Sequence, residues 1–321
     1  MKLLVLGGTR FLGRHLVESA LARGHEVTTF TRGQTNPDLF PEVEKLHGDR
    51  DGDLAALEGR NWDVAVDTCG YFPRIVRASA ELLSSSVGHY TFISTISVYA
   101  DLSRPVDETS PLATIEDEST EEFGAEFENY GPLKALCEGV VEEVYGDRAL
   151  IIRPGFIVGP HDPTDRFTYW PVRVARGGRM IAPGPPERPI QFVDVRDLAA
   201  WTLELIEQRR SGAFNATSRG LPMSEFLAEC PGHAEVVWAS DELLCEHGAG
   251  EEDLPLWTGD AKFAALHEAD VAAAVAAGLT FRPVAETAGD TLDWDRTRGD
   301  NELATGMDSK RESELLEAWE G

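Results

Sequence analysis

Apolar and polar positions along the first half of the chain alternate in the manner of strands and helices that follow one another. Short apolar runs predict six strands, at residues 3–6, 26–30, 43–46, 63–67, 90–94 and 149–152. Apolar positions at helical spacing predict helices at residues 11–23, 73–85 and 130–144. Because strands that alternate with helices pair in parallel, the pattern predicts an α/β fold with a doubly wound parallel sheet.

Proline and glycine become dense after residue 154, and the strand-like and helical stretches there follow no regular alternation. We therefore predict a first domain at residues 1–153 and a smaller C-terminal substrate lobe at residues 154–321. This lobe returns some elements to the first domain and ends in a helix from Asp308 to Trp319. Between Pro111 and Asn129 the chain carries acidic residues and no basic one, which indicates either a solvated loop or a lid.

The charge of the chain restricts its partners. The 321 residues carry a formal net charge of −27, with 29 basic against 56 acidic residues. Such a surface repels polyanions, so we expect no nucleic acid among the partners. The charge is compatible with a host of high internal salt, where screening relieves the repulsion between like charges, and this is our hypothesis about the host.

The sequence contains neither a signal-peptide pattern nor a run of roughly 20 apolar residues that would span a bilayer. We therefore expect a cytoplasmic protein that contacts no membrane, and a homodimer remains an open alternative. The four cysteines form no C-x-x-C pair, so neither a disulfide framework nor a metal site is expected from Cys69, Cys137, Cys230 and Cys245.

A glycine-rich turn joins the first predicted strand to the first predicted helix. It reads Gly7-Gly8-Thr9-Arg10-Phe11-Leu12-Gly13. Gly7 permits a tight turn, Gly13 lets the helix approach the strand closely, and N–H groups at the start of a helix bind phosphate. In this position the turn predicts a dinucleotide-binding Rossmann domain.

The turn resembles the T-G-x-x-G-F-x-G motif of the extended short-chain dehydrogenases/reductases, the NAD-dependent epimerase/dehydratase family. Arg10 replaces the middle glycine, as in a divergent branch with a G-G-T-R-F-x-G turn that includes chloroplast stem-loop-binding proteins. Further motif matches extend to about residue 216. The resemblance implies that a bound cofactor contacts Gly7, Thr9, Arg10, Phe11, Leu12, Gly13, Asp49, Arg50, Cys69, Gly70, Pro154, Phe156 and Ile157.

The end of the second predicted strand bears on the choice between NAD and NADP. NAD enzymes usually place an acid there to bind the ribose hydroxyls, whereas this chain has Arg32. A guanidinium pairs well with a 2′-phosphate, and Arg10 is placed to join Arg32. We therefore favour NADP, and an exposed turn cation is the alternative interpretation of Arg32.

Tyr130 and Lys134 match the family's Y-x-x-x-K pattern and lie one turn apart on one face of a predicted helix. A nearby ammonium favours the phenolate, which lets tyrosine exchange a proton with a carbinol or carbonyl oxygen. The resemblance implies that Tyr130 is the acid/base and that Lys134 also holds the nicotinamide ribose. It further implies that Thr95 binds the reacting oxygen, with Ser97 as the alternative hydroxyl.

Other positions concern the reaction and the substrate. Sugar dehydratases of the family carry Asp and Glu where this chain has Ile96 and Ser97, so we do not expect dehydration. Arg166, Tyr169 and Arg188 are candidate substrate contacts, with packing between the lobes as the alternative.

Together these motifs predict an NAD(P)-dependent oxidoreductase or epimerase that transfers hydride at a carbinol or ketone carbon of a small or sugar-like substrate. One alternative is a sugar-nucleotide epimerase that holds NAD tightly. The other is a non-catalytic protein that binds a nucleotide or RNA, which the divergent turn leaves open and the net charge disfavours.

Overall fold

The computed structural model describes residues 1–299 and 302–320. These residues form thirteen strands, β1 to β13 in chain order: Lys2–Leu6, Glu26–Thr31, Glu44–His47, Val64–Asp67, Tyr90–Ile93, Ala149–Pro154, Phe156–Val158, Arg179–Pro183, Pro189–Ile190, Phe192–Asp194, Gly212–Ala216, Leu221–Pro222 and Glu235–Ala239. They also form ten α-helices, α1 to α10: Phe11–Ala22, Pro73–Leu83, Tyr130–Tyr145, Tyr169–Arg176, Val195–Glu207, Met223–Glu229, Asp241–Glu246, Ala272–Ala276, Val284–Thr297 and Ser309–Glu320.

The centre of the molecule is a seven-stranded sheet in the order β11-β6-β5-β4-β1-β2-β3. Every neighbouring pair in this sheet is parallel. The chain moves outward on one side from β1 to β3, and on the other side from β4 to β6. Ligands bind at the carboxyl ends of the strands where the order reverses, which is the β1/β4 junction here. The predicted doubly wound Rossmann sheet is therefore confirmed.

Helices cover both faces of the sheet. α1 packs with α5 on one face, where Leu16, Val17 and Trp201 are buried. α2 packs with α3 on the other face, where Val76 and Val140 are buried. Covered faces explain the continuous apolar strands, because side chains on both sides of each strand lie away from water.

The chain leaves the central sheet after β6 and later returns to it. β11 pairs in parallel with β6, and α5 packs on α1 from the C-terminal half of the chain. The first lobe therefore holds residues from both sides of residue 153. The sequence analysis expected returning elements in this half of the chain but did not say which ones return, because irregular chain separates β6 from α5.

The remaining elements form a second lobe with its own core, in which Phe167, Trp170, Phe192 and Phe226 are buried. Three small two-stranded sheets, β7 with β10, β8 with β13 and β9 with β12, support this core. The predicted terminal helix is present as α10, which packs on β8. Among the described residues, no helix combines the length and the apolar character that crossing a bilayer requires.

Candidate active site

The glycine turn between β1 and α1 packs closely against neighbouring backbone and side chains, which leaves no room for Cβ atoms. Gly7 has φ +106°, and a Cβ there would lie 2.4 Å from the Thr68 hydroxyl oxygen. A Cβ on Gly13 would lie 2.7 Å from the backbone nitrogen of Gly8. Arg10 precedes α1 without a side-chain cap, so the first N–H groups of this helix keep their capacity to bind an anion. The turn therefore fits a dinucleotide pyrophosphate.

One exposed arginine, Arg10, lies in this turn, and a second, Arg32, follows β2. Within residues 1–299 and 302–320, neither Arg10 nor Arg32 has a hydrogen-bond or ion-pair partner for its guanidinium. The side chain of Asn36 donates 2.8 Å to the carbonyl of Thr9 and so ties the loop after β2 to the glycine turn. The two cations thus belong to connected loops at one end of the sheet.

The loops after β3 and β4 lie at the same carboxyl edge of the central sheet as the glycine turn. Asp49 is exposed, and its carboxylate accepts a hydrogen bond of 3.0 Å from the backbone N–H of Asp51. Cys69 is half-buried, and its thiol lies 3.4 Å from the carbonyl of Leu6. Position 70 has room only for glycine, because a Cβ there would lie 2.6 Å from the Phe92 ring.

The structure corrects the cofactor contact expected of the Arg50 side chain. Its guanidinium donates to both carboxylate oxygens of Asp67, at 2.6 and 2.7 Å, and to the Ser79 hydroxyl at 2.8 Å. Asp67 is fully buried at the end of β4 and also accepts a bond of 2.9 Å from Tyr90. A buried carboxylate requires a cation, which is why Arg50 faces the protein interior. The signal in the sequence was the acid that ends an apolar strand.

Tyr130 and Thr95 are brought together by the packing of α3 on the turn after β5. Thr95 precedes a short 3₁₀ turn, and its hydroxyl accepts 3.1 Å from the N–H of Ser97 and donates 3.2 Å to that residue's hydroxyl. A Cβ on Gly131 would lie 2.1 Å from the carbonyl oxygen of Ser97. Gly131 is therefore what allows the start of α3 to sit against Thr95, a role that sequence reasoning missed.

The surroundings of Tyr130 favour its protonated form. Burial raises its pKa to about 12, and Tyr71 adds to the increase. A hydrogen bond with Thr95 and the charge of Arg166 act in the opposite direction. At neutral pH Tyr130 is therefore a proton donor held beside a second hydroxyl.

Lys134 lies one turn further along α3 and is buried. Its ammonium donates to the carbonyls of Gly70 and Ile93, both at 2.7 Å, and lies 4.1 Å from the centre of the Phe92 ring. Burial lowers the pKa of Lys134 to about 8. Because an ammonium has three N–H donors, one remains for a ligand such as a ribose hydroxyl.

An ion pair fixes α3 on the sheet. Glu138, one turn beyond Lys134, accepts three hydrogen bonds from Arg153 of β6, at 3.0, 3.2 and 2.6 Å. Arg153 also donates 3.1 Å to the hydroxyl of Tyr99. Both charged side chains are buried. A shift of the helix that carries Tyr130 would therefore separate them and leave a buried charge without its partner.

The end of β6 and the strand β7 carry the next three expected cofactor contacts. Pro154 is buried, whereas Phe156 and Ile157 are half-buried. The Phe156 ring stacks on His267 at 5.3 Å, and the guanidinium carbon of Arg166 lies 4.9 Å from its centre. Arg166 pairs loosely with Glu251, at 3.5 Å, and its Nε donates 3.3 Å to the Thr164 hydroxyl.

Two expected substrate contacts are corrected by the structure. Tyr169 is only 2% exposed and packs in the core of the second lobe, because α4 turns this ring against Trp170 and Gly306. Arg188 donates to both oxygens of Asp241, at 2.6 and 2.8 Å, and so ties the loop before β9 to α7.

Comparison with known proteins places the chain in a family. The model of the NAD dependent epimerase/dehydratase family matches residues 3–56 and 54–216. An isoflavone reductase homolog of Zea mays is 24% identical over 223 residues, which are 65% of this chain and 65% of that protein. The 41 kDa chloroplast stem-loop binding protein b of Arabidopsis thaliana is 27% identical over 228 residues, which are 65% of this chain and 56% of that protein.

The fold is also that of a solved enzyme. The structure of UDP-glucuronic acid 4-epimerase from Bacillus cereus in complex with NAD has a TM-score of 0.65 at 14% identity, covering 93% of this chain and 99% of that one. The residues matched by the family model include the glycine turn, Thr95, Tyr130 and Lys134. The chain therefore belongs to the NAD dependent epimerase/dehydratase family.

Proposed function

We propose that this protein is an NAD(P)-dependent oxidoreductase that transfers hydride at a carbinol or ketone carbon of a small molecule. The observation that carries the proposal is the placement of Thr95, Tyr130 and Lys134 at the carboxyl edge of the sheet that also bears the glycine turn. The uncapped start of α1 offers N–H groups to a pyrophosphate, and Tyr130 offers a proton to a reacting oxygen.

Tyr130, Thr95 and Lys134 have separate roles in the proposed reaction. A bound nicotinamide supplies or accepts the hydride. When a ketone is reduced, Tyr130 gives its proton to the oxygen that Thr95 orients, and the reverse transfer accompanies oxidation of a carbinol. Lys134 holds the Gly70 turn against β5 and keeps one donor for the ribose.

NADP is the cofactor that the free cations favour. Arg32 and Arg10 are exposed arginines without hydrogen-bond or ion-pair partners in the described part of the chain, although acids outnumber bases by 56 to 29. A 2′-phosphate would supply the anion that both lack. The net charge of −27 argues against RNA as the ligand, despite the name of the Arabidopsis relative.

Replacement of Tyr130 by Phe tests the proposal. Screening ketones with NADPH and NADH first identifies a substrate. With that substrate, Tyr130→Phe should lower kcat by about 10²–10⁴-fold. The Kd of the cofactor should stay within a few-fold of the wild-type value. Tyr145→Phe is the matched control, because it removes a hydroxyl from the other end of α3, where it donates 3.2 Å to Ala80. Equal turnover by both variants would refute the assigned acid/base.

A further inference from the structure

Four aromatic rings gather beside Tyr130; we call them the aromatic cluster, and they are Tyr71, Phe72, Phe123 and Phe127. Phe123 comes from the acidic segment and stacks between Phe72, at 5.2 Å and 19°, and Phe127, at 5.4 Å and 16°. It meets the edges of Tyr71 at 6.0 Å and of Tyr130 at 5.9 Å. The cluster therefore reaches the proposed acid/base directly.

Part of the cluster is open to solvent. In residues 1–299 and 302–320, three large hydrophobic side chains are exposed: Tyr71 at 43%, Phe127 at 65% and Trp319 at 45%. Two of the three thus lie beside the proposed site. Tyr71 and Phe127 both contact Phe123, so the exposed apolar side chains belong to one continuous group of rings, which is the kind of surface that binds apolar groups.

Exposed ion pairs link the segment that carries Phe123 and Phe127 to α2. Glu121 accepts two bonds from Arg74, at 2.6 and 2.9 Å, and Arg74 also reaches Asp51 at 2.8 Å. Phe127 has φ +58°, a left-handed conformation that a bulky side chain rarely adopts, and its carbonyl accepts 3.1 Å from the N–H of Tyr130. The backbone thus keeps the Phe127 ring in an exposed position at some conformational cost.

We propose that the aromatic cluster binds a planar apolar ring next to the reacting carbon, so that the substrates are aryl ketones and aryl carbinols. This assignment rests on the proposed hydride transfer. Stacked and edge-on rings attract each other beyond the effect of burial alone, and Phe123 already shows both arrangements. The acidic side chains of this segment, among them Glu122, Glu126 and Glu128, make a ring without anionic substituents the better fit.

Paired ketones test the assignment. Acetophenone and cyclohexyl methyl ketone present the same methyl ketone on a planar and a non-planar ring. We expect wild type to prefer acetophenone in kcat/KM, and Phe127→Ala to reduce that preference about tenfold, which corresponds to about 1.4 kcal/mol. Trp319→Ala removes the exposed aromatic of α10 and should leave the ratio unchanged. An unchanged ratio in Phe127→Ala would overturn the proposal while leaving hydride transfer intact.

A binding measurement separates this proposal from the proposed function. Naphthalene-2-carboxamide is planar and neutral, and its contact with the protein is measurable by saturation-transfer NMR without turnover. We expect binding by wild type and Trp319→Ala, and a loss of about tenfold in affinity in Phe127→Ala. Binding that is absent from wild type, or equal in all three proteins, would overturn the role of the cluster even if ketones are reduced.

Discussion

Arg50 and Asp67 form a bidentate ion pair that joins the loop after β3 to the end of β4, with both N–O distances between 2.6 and 2.7 Å. The two side chains are 10% and 0% exposed. Either charge alone would be costly at this depth, because no water is available to solvate it. The pair therefore fixes the relative position of two loops that border the glycine turn.

We expect Arg50→Met to lower the free energy of unfolding by about 3–5 kcal/mol, since it leaves the Asp67 carboxylate buried without a cation. The double variant Arg50→Met/Asp67→Leu should recover most of that loss. Urea unfolding measures the free energy of unfolding of the single and the double variant. Arg60→Met is the control, because its pair with Glu44 is 42% and 51% exposed and should contribute less than about 1 kcal/mol. If Arg50→Met lowered the free energy of unfolding by no more than Arg60→Met does, the interpretation of the buried pair would be wrong.

Arg32→Asp should reverse the preference for NADPH over NADH, because it replaces the proposed phosphate partner with a like charge. Dissociation constants of both cofactors, measured by fluorescence titration, give the ratio. Arg210→Asp makes the same charge change just before β11, at the amino edge of the sheet, and should not alter it. If both variants shift the ratio equally, net charge and not a specific contact determines the preference.

The buried ammonium of Lys134 should make stability depend on pH in a defined direction. Its pKa falls from 10.5 to about 8 on folding. Between these values the unfolded chain binds more protons than the native one, so the free energy of unfolding rises with pH across this window. Chemical unfolding at several pH values should show a smaller rise for Lys134→Met than for wild type. Equal slopes would show that the ammonium is not desolvated.

Salt should stabilise the protein. At a net charge of −27, repulsion between like charges opposes the compact state, and raising the ionic strength from about 0.1 to 1 M shortens the screening length from about 10 to 3 Å. We expect Tm to rise with KCl, which is preferable to sulfate because sulfate also strengthens apolar burial. A Tm that does not change between low and high KCl would argue against adaptation to high internal salt.

Most of the central sheet could be predicted because its inner strands β4, β5 and β6 are buried along their whole length and its helices carry a regular apolar stripe. β11 was not among the predicted strands, because it lies in the irregular second half of the chain. The glycine turn and the Tyr130/Lys134 pair were also visible, since both depend on short spacings along the chain. Gly131 was not, because its importance arises from a contact with Ser97, more than thirty positions earlier in the sequence.

The acidic segment shows the same limit. Its charges indicated a loop, and the lid was kept as an alternative, but nothing local in the sequence relates Phe123 to Phe72. That contact depends on how the segment folds back over α2. Likewise, Asp67 at the end of an apolar strand was a visible signal, but it could not be assigned to Arg50 because the sequence does not show that this acid is buried.

The ion pair between Arg173 and Glu312 has a consequence for synthesis on the ribosome. Both side chains are buried, and 139 positions separate them along the chain. Because chains emerge N-terminus first, α4 is complete long before the acid on α10 has been made. During that interval the nascent second lobe contains a cation without its counter-charge and an uncovered β8. The unfinished polypeptide is thus the form in which we expect this protein to need chaperones and to be most open to proteases.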